Sequence, residues 1–316
     1  ADTRIVDTAD TGFLPVSPKA LFVYIVAILF AFGAGAGIIA LKEFLSSNIV
    51  FRKEIEHYSA LPIIGELMQE HSSSPIVIAD GQRTIIAEQF RQLRTSLAYL
   101  GVNTRKKKML VTSFIGGEGK TFVSANLAIS LALTNKKVVV LEMDLRKPKL
   151  SPMFQVSREV GLTNYFVGDK EADHIIKSTP VSPNLFVIPC GAIPPNPSEL
   201  ILNGRLDELL KYLEGIFDYI IIDCAPTGPV TDAYILSPMC DATLYVIRHG
   251  VTPKAAVKML DKNVLVRGLK NVAIIFNGVK TRGVATFGYG YGYNYTGSYG
   301  LEKSEKKSKK KEKNVS

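Results

Sequence analysis

Met109-Leu-Val-Thr-Ser-Phe-Ile-Gly-Gly-Glu-Gly-Lys-Thr121 is the stretch from which the fold can be read. Met109 to Thr112 form a β-rich apolar run, and glycines follow at 116, 117 and 119. From Thr121 the chain continues Thr-Phe-Val-Ser-Ala-Asn-Leu-Ala-Ile-Ser-Leu-Ala, with apolar residues at helical spacing. Strand, glycine-rich loop and helix in that order make a phosphate loop. Gly116, Gly117 and Gly119 let backbone N–H groups close around phosphate oxygens at a helix N-terminus. Lys120 is placed to reach the β- and γ-phosphates, and Thr121 to ligate Mg²⁺. Glu118 and Phe122 complete the segment expected to line the nucleotide. The strict pattern has glycine six places before the lysine, where this chain has Phe114, so partner carboxylates must confirm the site. Without them the segment is only a glycine-rich turn.

From Met109 onward, apolar runs alternate with helical patterns. The patterning predicts strands over 109–113, 137–143, 185–189, 218–223, 242–248 and 272–277. Helices are predicted over 120–134, 198–214 and 253–266, with shorter ones near 158–166 and 231–238. This is an α/β protein of the P-loop NTPase type: a doubly wound, mostly parallel sheet with helices on both faces. Ligand chemistry in such sheets gathers at the carboxyl ends of strands. Two of these ends carry acids, Val138-Val-Val-Leu-Glu142-Met-Asp144-Leu-Arg146 and Tyr219-Ile-Ile-Ile-Asp223. A lone acid after a strand says little. Three acids at two strand ends, beside G-E-G-K-T, supply the hard oxygen ligands that a Mg-nucleotide site requires. The expected site is therefore Lys120, Thr121, Asp144 and Asp223, the last three toward the metal.

The chain has 316 residues, 47% of them hydrophobic, enough for one large α/β core with an appendage. Its +9 net charge raises nucleic acid as a partner, but the distribution excludes it. Residues 301–316 hold seven lysines against three glutamates, so +4 of the excess belongs to a solvated tail. Cys190, Cys224 and Cys240 lack C-x-x-C spacing, which suits a reducing compartment without a metal cluster. His57, His71, His174 and His249 are scattered, as surface or core residues are.

Because the chain starts at Ala1 rather than Met, it reads as a processed or excised fragment. Residues 1–19 form a polar lead-in with Pro15 and Pro18. Ala20 to Leu41 are 22 residues without a charge, about 33 Å as a helix against a hydrocarbon core of about 30 Å. That predicts a transmembrane helix. It is longer than a signal-peptide core and its flank has few positive charges, and a buried core helix fits this length less well. Gly33-Ala-Gly-Ala-Gly37 gives it a small-residue face with G-x-x-x-G spacing. Residues 42–80 read as a juxtamembrane helix, ended by Leu61-Pro-Ile-Ile-Gly65, and a linker, serine-rich over His71 to Pro75. The main domain is expected over 81–284, opening with a helix from Thr84 to Leu100. Glu88, Arg91 and Arg94 share one face of that helix. They are either a solvated ion pair, worth about 0.3–0.5 kcal/mol, or partners for a neighbouring subunit. Residues 285–300 are rich in glycine and tyrosine, and 301–316 form a disordered lysine-rich tail.

Together these features resemble the bacterial tyrosine kinases (BY-kinases) of the polysaccharide co-polymerase class, along most of residues 15–300. Gly116 to Thr121 are similar to the family's Walker A motif, Glu142-Met-Asp144-Leu-Arg146-Lys-Pro148 to its Walker A′ and Ile220 to Asp223 to its Walker B. Glu88-x-x-Arg91-x-x-Arg94 resembles its E-x-x-R-x-x-R oligomerisation motif, and Pro195-Asn-Pro-Ser-Glu-Leu200 resembles a loop of these kinases. Tyr289, Tyr291, Tyr293, Tyr295 and Tyr299 look like its tyrosine cluster. Two positions differ. Glu142 stands where the family usually has Asp, and Ile115 stands where partitioning-type ATPases of the same superfamily carry a signature lysine.

The resemblance implies a membrane-anchored protein-tyrosine kinase with ATP and Mg²⁺, its kinase domain on the cytoplasmic side of the bacterial inner membrane. It implies a homo-oligomeric ring that phosphorylates its own tyrosine cluster between subunits. A cognate phosphatase and a capsule or exopolysaccharide polymerase and export machinery are the implied partners, and a periplasmic domain and first membrane span are expected of a full-length relative. Glu142 is expected to take or orient the proton of the incoming tyrosine hydroxyl, or else to be an outer acid of the Mg²⁺ site. The rival readings are an ATPase switch of the partitioning or septum-placement type and a membrane adaptor that binds nucleotide without turnover.

Overall fold

The computed structural model describes residues 19–44, 47–70, 74–79, 81, 84–102 and 107–280. It divides into two compact units, Ala1–Ser47 and Asn48–Ser316. The described part of the first is one helix, α1 (Ala20–Phe44). Over Ala20–Ile38 its mean hydropathy is 2.4 and none of it is buried, so it is long and apolar enough to cross a membrane. It runs three residues beyond the expected Leu41.

In the second unit the elements are α2 (Arg52–Tyr58), β1 (Ile63–Met68), α3 (Ile85–Ser96), β2 (Lys108–Ser113), α4 (Lys120–Ala132), β3 (Val138–Met143), α5 (Leu150–Met153), α6 (Leu162–Phe166), α7 (Ala172–Ile175) and β4 (Lys177–Ser178). They continue with β5 (Leu185–Ile188), α8 (Pro197–Ile201), α9 (Arg205–Ile216), β6 (Tyr219–Cys224), α10 (Asp232–Leu236), β7 (Ala242–Arg248), α11 (Lys254–Arg267) and β8 (Val272–Val279). The strands form one eight-stranded sheet in the order β1-β8-β7-β2-β6-β3-β5-β4. Every pairing is parallel except that of β4 on β5.

Alternation along each strand divides the core between two faces. Met109, Val111, Val138, Val140, Leu244 and Ile275 point toward α3 and α4. Leu110, Val139, Leu141, Ile220 and Ile222 pack with residues of α6, α9 and α10 on the other face. Tyr245, Ile247, Ile274 and Phe276 extend that second face under α2 and α11. Burial on both sides is why these strands read as continuous apolar runs.

Three expectations are corrected. Leu61-Pro-Ile-Ile-Gly65 does not simply end a helix: Ile63–Met68 form edge strand β1, parallel to β8. Gly65 leaves room there for Leu93, whose Cδ1 would lie 2.9 Å from an added Cβ and would have to shift. The compact unit consequently begins at Asn48, not near residue 81. The single helix expected over 198–214 is two, α8 and α9, separated at Gly204, whose φ of 83° breaks the helical path.

Candidate nucleotide site

The loop between β2 and α4 turns at Gly117 (φ 91°) and Gly119 (φ 96°), both left-handed. Gly119 is doubly constrained, since a Cβ would meet Asn277 Nδ2 at 2.1 Å. Phe114, where the strict motif has glycine, has no positive φ. The close approach at that point is made from the other side: Gly228 N donates to Phe114 O at 2.8 Å, and a Cβ on Gly228 would lie 2.5 Å from that oxygen.

Three side chains fasten the loop to the ends of β7 and β8. Arg248 Nη1 donates to Gly117 O at 2.6 Å, Asn277 Nδ2 to Glu118 O at 2.9 Å, and the Thr252 hydroxyl to Glu118 Oε1. Glu118 Oε2 accepts from Ile115 N at 2.7 Å. The Glu118 side chain is fully buried. Burial raises its pKa, against the opposing pull of Thr252 and the loop amides. Glu118 therefore shapes the loop with its carboxylate and offers a ligand only its backbone. Phe122 likewise turns its ring to Phe90, 5.7 Å away and edge-on.

Lys120 and Thr121 open α4, and the strand ends bring the acids to them. Lys120 Nζ lies 2.6 Å from Asp144 Oδ2, and Asp144 Oδ1 accepts from Lys147 N at 3.0 Å. Burial would lower the lysine's pKa, but Asp223 and Asp144 outweigh it and the net shift is upward. Asp223 sits opposite Val111 of β2 and Glu142 of β3 in the sheet register. Its Oδ1 accepts from Ser124 Oγ at 3.3 Å, while its buried Oδ2 has no hydrogen-bond partner among the described residues. Burial pushes Asp223 up to about 6, with Lys120 and the Thr121 hydroxyl pulling the other way. An unpartnered buried carboxylate oxygen beside a paired lysine, at a helix N-terminus, fits a cation carried in on phosphates. Among the described residues no three His, Cys, Asp or Glu side chains form a metal cage. Mg²⁺ does not need one, because it commonly takes one or two carboxylates and completes its shell with phosphates and water.

Glu142 is placed differently from expectation. It is fully buried. Oε1 accepts from Leu150 N (2.6 Å) and Ser151 N (3.0 Å), and Oε2 from Ser151 Oγ (2.7 Å) and Cys190 N (3.1 Å). A carboxylate offers about four acceptor sites, and all are taken. The geometry makes Glu142 a clamp joining β3 to α5 and to the chain after β5. Acting as a base would require it to release one of these donors.

Glu88 and Arg91 pair with each other on the surface of α3. Arg94 turns inward, donating to Ser130 O at 2.6 Å near the C-terminus of α4. Sequence reasoning missed a further cluster that joins the loop after β3 to α8 and α10. Ser198 Oγ donates to Asp232 Oδ1 at 2.6 Å, and Arg146 reaches Ser198 Oγ at 3.1 Å and Asp232 Oδ2 at 3.6 Å. The arginine two places beyond Asp144 was its only local signal. Tyr289, Tyr291, Tyr293, Tyr295 and Tyr299 lie outside the described residues.

A phosphate loop at the end of a central parallel strand, with acids at the ends of the next two strands, defines a P-loop nucleotide-binding domain. The family model described as AAA domain matches residues 106–249. The tyrosine-protein kinase CpsD of Streptococcus agalactiae is 36% identical over 202 residues, covering 64% of this chain and 85% of its own length. The tyrosine-protein kinase ptk of Acinetobacter johnsonii is 30% identical over 291 residues, or 88% of this chain. Of that protein and of a putative tyrosine-protein kinase in the cps region of Klebsiella pneumoniae, the chain spans only 40% and 42%. The solved kinase domain of the Escherichia coli tyrosine kinase ETK superposes with a TM-score of 0.69 at 27% identity, covering 77% of this chain and all of that domain. The chain belongs to the bacterial tyrosine-kinase family.

Proposed function

We propose that the chain is a membrane-anchored, ATP-dependent protein-tyrosine autokinase. It transfers phosphate to the tyrosines at 289, 291, 293, 295 and 299 of a neighbouring copy, and so regulates capsule or exopolysaccharide polymerisation and export. The observation that carries this reading is the unpartnered Asp223 oxygen beside the Lys120–Asp144 pair at the start of α4. The relatives' names support a tyrosine as acceptor, and α1 supports an anchor in the bacterial inner membrane.

In this reading Thr121, Asp144 and Asp223 hold Mg²⁺, directly or through its waters, and the backbone of residues 116–122 cradles the phosphates. The bound metal supplies charge neutralisation on the transferred group. Lys120 would turn from Asp144 to the β- and γ-phosphates of ATP, which would free the Asp144 oxygen for the metal or its waters. Glu142 holds β3 and α5 in place around it. Glu88 and Arg91 face a neighbouring subunit in a homo-oligomeric ring, and a phosphatase resets the tail.

The test measures ADP release and phosphotyrosine on the full chain. Lys120→Met should keep the fold and abolish both, and normal autophosphorylation in that variant would mean the site is misassigned. ADP without phosphotyrosine in the unmodified chain would favour an ATPase switch, and neither product would favour a nucleotide-binding adaptor. Mixing the Lys120→Met chain with an active chain whose five tyrosines are Phe tests transfer between subunits. Phosphotyrosine on the inactive chain supports such transfer.

A further inference from the structure

α11 shows solvent a face that its own packing does not use. Ala256, Val257 and Leu260 are buried, the last two in the core beneath β7 and β8. On the outside, Met259, Leu265 and Val266 are 56, 84 and 74% exposed, with Lys258 and Lys262 exposed among them. Positions 258, 259, 262, 265 and 266 recur at intervals of three and four, so they form one stripe along the helix. A single exposed apolar residue needs no explanation, but a row of three interleaved with lysines does.

The stripe is cationic and has no acid of its own. Asp261, the one acid of α11, is engaged by the chain after α2, accepting from Ser59 Oγ and from Ala60 N. Lys258 lies over the Tyr58 ring at 4.7 Å, and no carboxylate among the described residues forms an ion pair with it.

The stripe also begins where the chain arrives from α1. Asn48 bridges to Pro253 and its Nδ2 donates to Gly250 O at 3.1 Å, while Ile49 N donates to Thr252 O at 2.8 Å. These are the residues that lead into α11.

We propose that this outer face of α11 rests on an anionic phospholipid surface, the headgroup layer of the bilayer that α1 is proposed to cross. Lys258 and Lys262 meet the anionic headgroups, and Met259, Leu265 and Val266 enter the interfacial layer, as in interfacial basic amphipathic helices. The inference rests on the proposed anchoring, and the experiment separates the two.

The chain has no tryptophan, so Leu265→Trp places a single tryptophan, excited apart from the tyrosines, on the stripe. The variant of the 316-residue chain is placed in nanodiscs with brominated acyl chains, of either phosphatidylglycerol or phosphatidylcholine. Tyr99→Trp, 87% exposed at the end of the helix on the opposite face of the sheet, is the reference. The expected result is strong quenching of the tryptophan at 265 in phosphatidylglycerol only, lost at high salt or on adding Lys258→Glu and Lys262→Glu. The tryptophan at 99 stays unquenched throughout. Discs that retain the chain but leave the 265 probe unquenched overturn the docking and spare the anchor. Quenching equal in both lipids overturns the charge-dependent contact. A blue-shifted but unquenched probe means a protein covers the face, which also overturns it. A chain that leaves the discs defeats both readings.

Discussion

Thr252 donates its hydroxyl to the buried carboxylate of Glu118, joining the phosphate loop to the turn after β7 across 134 positions of sequence. The same hydroxyl oxygen accepts from Arg248 N at 2.8 Å. Thr252→Val should therefore leave a buried carboxylate one donor short and an amide without its acceptor, a loss of about 1–3 kcal/mol. Thr252→Ser should be close to neutral. Thermal melts with and without Mg-ATP check this, and the valine variant should also lose part of the nucleotide's stabilisation. If its melting temperature falls while nucleotide affinity is unchanged, the contact serves the fold alone.

Glu142 provides a second test. Glu142→Gln puts an amide NH₂ against backbone N–H donors at Leu150, Ser151 or Cys190, so it should destabilise by about 2–4 kcal/mol. A clamp predicts a lower melting temperature and weaker Mg-ATP binding together. A base predicts a slower chemical step, commonly by 10²–10⁴-fold, with stability and affinity intact. Denaturation and single-turnover phosphorylation on the same variant distinguish them.

For Asp223 the sign of the pH effect follows from a folded pKa of about 6 against an ordinary 3.8. The fold holds this proton more tightly than the unfolded chain does. The stability gained is fully present below the unfolded value and is lost as pH rises through about 6. At pH 8, Asp223→Asn should therefore stabilise the nucleotide-free protein by roughly 1–3 kcal/mol. That difference should vanish toward pH 4, and Mg-ATP should no longer protect the variant. Melting curves across that range, with and without Mg-ATP, provide the check.

Arg94 should be separable from Glu88 and Arg91. Arg94→Ala removes a charged donor from Ser130 O and should cost about 1–2 kcal/mol even in an isolated subunit. Glu88→Ala with Arg91→Ala breaks a half-exposed surface pair, so the subunit's stability should change by less than about 0.5 kcal/mol. Light scattering on the double variant then reports assembly without unfolding. A mass distribution like that of the parent would return the pair to a solvated ion pair.

What the sequence shows and hides follows from distance along the chain. β2, β3, β6, β7 and β8 are legible because a parallel strand covered on both faces is an apolar run bounded by turns. Lys120, Asp144 and Asp223 are legible because each stands at a strand end, where the topology gathers ligands. β1 is six residues long, follows Pro62 and pairs with a strand some 200 positions later, so nothing local announces it. Glu142 looks like a free acid in the sequence because its four donors come from 8, 9 and 48 residues away. Asn277 meets Glu118 across 159 positions, and no spacing rule reaches that far. Family resemblance found the motifs but could not show which carboxylates were already occupied.

The strand order has a consequence for the order of synthesis. β8 lies between β1 and β7, so the last strand of the described residues is inserted between two strands made before it. Until residues 272–279 emerge from the ribosome, β1 has no edge to join, however early it was made. Closing so long a loop is slow, and an open strand edge is exposed to wrong partners in the meantime. A nascent chain arrested before Val272 should therefore have its phosphate loop flanked by β6 and β7, yet leave residues 48–68 open to protease, and extension through Val279 should protect them.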